Sequence, residues 1–564
     1  MAEKIISPGV FTRENDFSFV SQGVAEIGGA LVGPTVKGPV DVPTVVSSFS
    51  EYENIFGGSF ESGSTSHEFI TSLAAEQYLK HSNTLTVVRV APSGYTSATS
   101  SVASNADAAV NAFKIKTIGE GLIMNSFSVE TAGNLLPDGT DNNLRWEVSA
   151  KSLTKGTFTL TIRRGDDSSA KKQILEQFTN ISLDPNSQNY IGKIVGTQYA
   201  TFDTDYVKYL GSYPNRSKYI YIDEASILDT ASWYDSDGGI RVAAAADSIP
   251  ADASGSFGGG AGAHLNGSLM HEAISTISQG VEATDYANAW TLLANTDEYD
   301  INMVMAPGIN DTHHSVATSA MMNMAENRGD CIAIVDPVGF GQTPSTVAAV
   351  SEAENNSYAA MYWPWVQINS ARTGKNVWVP ASTVMGGVLA FNDSVSAEWY
   401  APAGLNRGGI ASAVRAERKL SRADRDTLYE ARCNPLATFP GEGVVVWGQK
   451  TLQKRTTALD RVNVRRLLIN LKKFIASTSK YLVFENNTDS TRQRFLAAVN
   501  PYMESVQQNN GLYAFKVIMD DTNNTADVID RNIMKGDIYI QPAKAAEFIV
   551  VDFNIMPTGA TFGE

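Results

Sequence analysis

The chain runs through two stretches of alternating helix and strand signals, held apart by a long segment of different texture. In the first stretch, "AEIGGALVGPTVKGPVDVPTVVSSFSEYENIFGG" reads as strand, Gly-Pro turn, strand and short helix. "HEFITSLAAEQYLKHSNTLTVVRVA" follows as helix and strand, with Phe69, Leu73, Ala74 and Tyr78 as the apolar stripe. After Pro92 the residues turn to Ser, Thr, Asn, Asp and Gly, with short strands such as "RWEVSA" and "TFTLTIRR". From Tyr299 the rhythm resumes: "YDINMVMAPG" as strand, "SVATSAMMNMAENRG" as helix, "DCIAIVDPVGF" as strand. Strand, helix and strand in that order build a mixed sheet covered by helices. Residues 24–93 and 299–390 are therefore expected to close one middle α/β domain around β-rich inserted outer domains, 94–298. "YAAMYWPWVQI" reads as one more apolar strand, which Pro364 places at an edge or bends. "ASGSFGGGAGAHLNG" reads as a flexible surface loop, and its glycines fit neither a dinucleotide fingerprint nor a P-loop.

The last third, 391–546, reads as an α+β core domain. "AVRAERKLSRADRDTLYEARCNP" holds helical segments stopped by Asn434-Pro435, and "GEGVVVWGQKTL" is a strand. In the helix "VNVRRLLINLKKFIASTSKYLVF" the apolar stripe is Val464, Leu468, Leu471 and Ile475. Arg465 and Lys472 are seven apart, as are Arg466 and Lys473, so these cations share the opposite side. "STRQRFLAAVNPYMESVQQNNG" is a further helix, and "LYAFKVIMD" and "DIYIQPA" are strands. The ends are unusual. In "EFIVVDFNIMPTGATFGE", residues 547–564, Ile549, Val551, Phe553 and Ile555 alternate with Asp552 and Asn554, the period of a half-buried strand. Near the start, "ISPGVFTREN" is a short extended arm in which Val10, Phe11 and Thr12 favour β structure. A strand left alone at a chain end invites pairing with another chain.

Charge is unevenly spread. The net charge is −16, yet residues 407–480 hold 16 Lys and Arg against 6 Asp and Glu, a balance of +10. The remainder then holds 44 − 16 = 28 cations and 60 − 6 = 54 anions, a balance of −26. Such asymmetry marks a partner-facing surface. The helix carries no aromatics interleaved with its cations, so an acidic protein surface fits better than nucleic acid. Two cysteines make neither a disulfide framework nor a thiolate zinc site. No run of about 18 apolar residues suggests a membrane span, and "MAEKIISPGV" lacks a secretory core, so the chain is expected to stay in a cytosol. His313 and His314 are adjacent and point apart, a poor chelate. Asp336 ends a strand before "PVGF", where α/β enzymes place catalytic groups, but no nucleophile or phosphate loop accompanies it.

Four stretches resemble the contractile tail sheath proteins of myovirus-type bacteriophages. They are "SPGVFTREN", "ALVGPTVKGPVDVPTVVSSFSEYENIFGG", "YAAMYWPWVQINSARTGKNVWVPASTVMGGVLAFNDSVSAEWYAPAG", and the C-terminal series "DRVNVRRLLINLKKFI", "FENNTDSTRQRF", "TNN" and "IQPAKAAEFIVVDFNI". The likeness covers residues 1–92 and 299–564, leaving the inserts as variable outer decorations. It implies a multidomain α+β and α/β protein whose N-terminal arm, 1–23, joins the C-terminal domain. It also implies a structural subunit of the virion tail, assembled in the host cytoplasm, with no cofactor, no catalytic or metal site and no nucleic acid or membrane insertion. The implied partners are itself, in a six-fold helical homo-oligomer, the tail tube protein, and baseplate and tail terminator proteins. Contraction would drive the tube through the host envelope. On that resemblance Val10, Phe11, Thr12 and Arg13, with Ile549, Val551, Phe553 and Ile555, are expected to be exchanged between subunits as strands. Arg461, Arg465, Arg466, Lys472 and Lys473 are expected to form a basic surface facing the tube. The rivals are the sheath of a phage-derived contractile injection particle and, from another class, an α/β enzyme using Asp336 with His313 or His314.

Overall fold

The computed structural model describes residues 28–62, 65–105, 109–128, 130–131, 135–228, 249–262 and 277–549. They divide into two compact units, 28–470 with 544–549, and 471–543.

The first unit is built on eight strands: β1 (Gly28–Gly33), β2 (Thr44–Val46), β3 (Leu85–Arg89), β4 (Ile301–Met305), β5 (Ile332–Val335), β6 (Ala359–Trp363), β7 (Cys433–Phe439) and β8 (Gly443–Val446). They lie in the order β2-β3-β1-β4-β5-β6-β7-β8. The inner six run parallel, and β2 and β8 close the edges antiparallel. Ala30 of β1 sits between Thr86 of β3 and Val304 of β4, so the two α/β stretches meet across β1 and the insert leaves between β3 and β4. Parallel strands covered on both faces must be apolar on both. Leu31, Val87, Met305, Ile334 and Tyr362 face one core, and Val32, Val88, Val304, Val335 and Trp363 the other. Helices α1 (Ile70–Leu79) and α3 (Ala381–Val395) fill the first; α2 (Asp311–Arg328) fills the second. Gly387 lets α3 approach α1, since a Cβ there would lie 2.8 Å from the Gln77 carbonyl oxygen.

The insert carries its own core. One sheet comprises Ser97–Ala103, Asn111–Glu120 and Ile220–Ile222; another comprises Leu144–Ser152, Thr157–Arg164, Ile174–Ser182 and Ala253–Ser256. Phe113, Trp146, Phe158 and Leu160 pack between them. Ala253–Ser256 thus pairs with Leu144–Ser152, although the sequence reads there as loop. Gly255 crosses the Trp146 ring at a distance that leaves no room for a Cβ. The return to the main sheet also comes before residue 299: Val281, Tyr286, Trp290 and Leu293 pack in the second core with α2.

Three expectations change in the sheet. "YAAMYWPWVQI" is interrupted at Pro364, as the bending alternative has it, into two strands of different sheets, and of the two alternatives it is the edge placement that fails, since β6 is interior. Ala413–Ala416 is a strand, helix α4 (Arg422–Glu430) ends before Asn434, and Asn434-Pro435 lies inside β7. Asn434 replaces ladder bonds with its side chain, accepting from Lys450 N–H at 2.6 Å and donating to its carbonyl at 2.8 Å. No break falls at 390/391, because β7 pairs directly with β6.

Helix α5 (Val462–Lys480) belongs to the first unit up to Asn470 and to the second from Leu471. In the second unit, α6 (Asp489–Gln508) buries Phe495, Val499 and Met503, and Phe474 stacks on Tyr502. Strands β9 (Leu512–Ile518) and β10 (Asp537–Pro542) form an antiparallel pair, with Phe515 opposite Ile540. No helix among the described residues is long and apolar enough to cross a membrane, and these residues form no cluster of three or more His, Cys, Asp or Glu that could hold a metal.

Candidate functional site: the root of the C-terminal strand and the basic helix

Glu547, where the closing strand was expected to begin, is gripped by three side chains of the first unit. Arg461 donates from Nε to Oε1 at 2.6 Å and from Nη2 to Oε2 at 3.0 Å. Tyr429 of α4 donates its hydroxyl to Oε2 at 2.8 Å, and Gln449 donates to Oε1 at 3.0 Å. Burial pushes this carboxyl up, but the bonds from Arg461, Tyr429 and Gln449 outweigh it and hold the pKa below the ordinary glutamate value. The forked guanidinium matches both oxygens, the geometry that makes such pairs specific. One residue further on the grip ends: Phe548 is 80% exposed and Ile549 82%. Val551, Phe553 and Ile555 lie outside the described residues, as do Val10, Phe11, Thr12 and Arg13.

The basic helix is arranged differently from the sequence reading. Arg465 and Arg466 are only 4% and 2% exposed, so they form no surface of this chain. Arg466 makes a two-pronged pair with Asp393, Nη1 to Oδ1 at 2.8 Å and Nη2 to Oδ2 at 2.5 Å. Burial disfavours its charge, but Asp393 and then Glu398 outweigh that and raise its pKa. Arg465 donates from Nε to the Ser357 carbonyl at 3.0 Å and from Nη2 to its hydroxyl at 2.6 Å, and stacks over the Tyr358 ring at 4.0 Å. The first half of α5 is covered on nearly every side, so its polar side meets protein rather than water. Arg461 belongs to the Glu547 grip; Lys472 is exposed and Lys473 half-buried in the second unit.

The residues of the enzyme reading serve helix starts. Asp336 accepts from Ser382 N–H at 3.0 Å and from its hydroxyl at 2.5 Å, fixing the beginning of α3 to the end of β5. His313 and His314 both bond to Asn310, the cap of α2. Burial pushes the Asp336, Glu68 and Glu120 carboxyls up to about 7. Each is therefore protonated more readily in the fold than in the unfolded chain. Its contribution is full below about pH 4 and is lost as pH rises towards 7, with a slope of up to ~1.4 kcal/mol per pH unit per group. Asp336→Asn is expected to flatten part of that fall. Denaturant titrations at pH 5 and pH 8 check it, and an unchanged slope would count against the assignment.

The described residues thus form a mixed α/β core with a β-rich insert, followed by a small α+β unit. Residues 279–452 match the family model of the phage tail sheath protein central domain, and residues 454–556 that of the phage tail sheath C-terminal domain. Over 307 residues the chain is 34% identical to the tail sheath protein of Vibrio phage KVP40, covering 50% of this chain and 46% of that one. Over 304 residues it is 33% identical to the tail sheath protein of Enterobacteria phage T4, with the same shares. The chain thus spans about half the length of the curated relatives it matches. The crystal structure of a sheath tail protein from Listeria innocua shares the fold over 89% of this chain and 91% of that one, with a TM-score of 0.52 at 11% identity. The chain belongs to the phage tail sheath family.

Proposed function

We propose that this chain is the subunit of a contractile phage tail sheath, stacking as six-membered rings around a tail tube in the virion and driving that tube through the host envelope. Subunits are joined by exchanged strands: residues 547–556, and the arm around Val10–Arg13, pair with sheets of neighbouring copies. The observation that carries this reading is the change at Glu547, where a chain held by Arg461, Tyr429 and Gln449 gives way to exposed Phe548 and Ile549. A side-chain clamp followed at once by bare apolar residues is the root of a strand that finds its partner elsewhere. The pair β9 and β10 supports it further. The ribbon packs on α6 and is two strands wide among the described residues, so its edges are open to added strands, and Tyr513 and Tyr539 on it are exposed. Contraction draws on a bistable packing of the assembled subunits. In this reading Arg465 and Arg466 hold the helix to its own fold, and Lys472 and Lys473 are left to face the tube. The further partners are baseplate and terminator proteins, and assembly takes place in the host cytoplasm.

Removal of residues 547–564 tests the proposal. The full chain is expected to form striated tubes in negative stain, and the shortened chain to stay folded, soluble and dispersed. Normal tubes from the shortened chain overturn the exchange.

A further inference from the structure

With Arg465 and Arg466 buried, the positive surface of the 407–480 segment lies elsewhere. Within eleven residues, Arg415, Arg418, Lys419, Arg422 and Arg425 follow one another along the strand Ala413–Ala416, the next loop and the start of α4. The anions among them are mostly engaged. Glu417 accepts from Gly341 N–H at 2.5 Å, and Asp424 closes the Ser421 capping box. None of these five cations lies within ion-pair distance of a carboxylate among the described residues. The guanidinium groups rest on rings instead: Arg415 lies 5.1 Å from the Trp378 ring, and Arg425 lies 5.3 Å from that of Phe439, which itself packs on Trp447. Trp447 and Val414 are exposed beside them. Arginine on aromatics with an apolar centre is the composition of an interface core rather than of a solvated face.

The second unit is neutral overall, with eight cations and eight anions over 471–543, and its acidic side is confined to one connection, where four aspartates outnumber Arg531 and Lys535. The connection between β9 and β10 presents Asp520, Asp521, Asp527 and Asp530, all exposed, with Ile529 and Ile533 exposed among them. Every copy therefore bears both faces, each with apolar residues at its middle. Two different patches that complement each other make a head-to-tail contact, which builds a ring where the rotation closes and a helix where it does not.

We propose that the arginine face around Arg418 and Arg422 docks on the aspartate face around Asp527 and Asp530 of a second copy of this chain, as a contact separate from strand exchange. It deepens the sheath reading and rests on it for its setting. Exposed charges act over a Debye length of about 8 Å at physiological salt, so the contact is salt-sensitive.

The variants Arg418→Glu with Arg422→Glu, and Asp527→Lys with Asp530→Lys, reverse one face each. The structure gives these side chains no hydrogen bond, and only Asp527 has an ion pair, an exposed one with Arg531 at 3.8 Å. Both variants are expected to melt as the parent does, and to lose tube yield by at least about ten-fold at low salt. The chain with all four substitutions, in which the reversed faces complement each other again, is expected to regain tubes. Three results overturn the proposal: full tube yield from either single-face variant, no recovery in the fourfold variant, or intact tubes with loss of binding only to the tail tube. If the parent forms no tubes, the sheath reading falls by itself. Sedimentation velocity of the same four proteins still decides the docking, which requires self-association of the parent that is lost in each single-face variant and restored in the fourfold one.

Discussion

Arg466→Met is expected to lower folding stability by about 3 kcal/mol, because it takes a buried guanidinium away from two half-buried carboxylates, Asp393 and Glu398. Asp393 loses both prongs of its partner, and Glu398, which accepts from Asn302 and Asn470 at 3.1 Å each, loses the nearby positive charge. Burial already pushes the Glu398 carboxyl up, and removing Arg466 pushes it further. The variant therefore takes up protons, and its deficit shrinks as the pH is lowered. Arg466→Met with Asp393→Leu should regain most of the loss, because replacing both partners by apolar groups removes the stranded charge. Denaturant unfolding of the three proteins checks this. A loss below about 1 kcal/mol for Arg466→Met would mean that water reaches the pair, as at exposed ion pairs.

Asp167→Leu is expected to be at least as damaging, but in the insert. Asp167 takes Arg145 Nη1 at 3.0 Å on Oδ1, and Arg163 Nε at 2.6 Å and Nη2 at 2.9 Å across both oxygens. All three side chains are out of reach of water. Glu130 and Glu147 each hold one further prong of the two arginines, so two guanidinium groups remain with two carboxylates at the rim and none at the centre. A loss of about 3–5 kcal/mol follows from the same physics. The insert's apolar cluster shares no residue with the two cores of the main sheet. Calorimetry should therefore show one melting step moved down and another in place. A single step moving as a whole would show that insert and main sheet unfold together.

These charges also mark where the sequence stops being informative. The buried strands were legible because parallel strands covered on both faces carry unbroken apolar runs, as in "TLTVVRV" and "DCIAIVDP". The interruption between β3 and β4 was legible from composition, but its end was not, since Val281 and Trp290 read the same in either core. β7 was hidden by Asn434-Pro435, which breaks helix and strand signals alike and is tolerated because Asn434 bonds to Lys450 through its side chain. Arg465 and Arg466 sit at helical spacing opposite an apolar stripe, and spacing alone cannot distinguish water from a carboxylate. Their partners lie at Ser357 and Asp393, 108 and 73 residues away. The alternation of Ile549, Val551, Phe553 and Ile555 was plain, whereas the clamp that precedes it joins Glu547 to Arg461 across 86 residues and leaves no local trace.

A density map of tubes grown from the purified chain tests the assembly most directly. The expected map has residues beyond Glu547 leaving their own subunit and lying as a strand against a sheet of a neighbouring copy. A map in which those residues pair only within their own chain, with no other copy touching them, would contradict it.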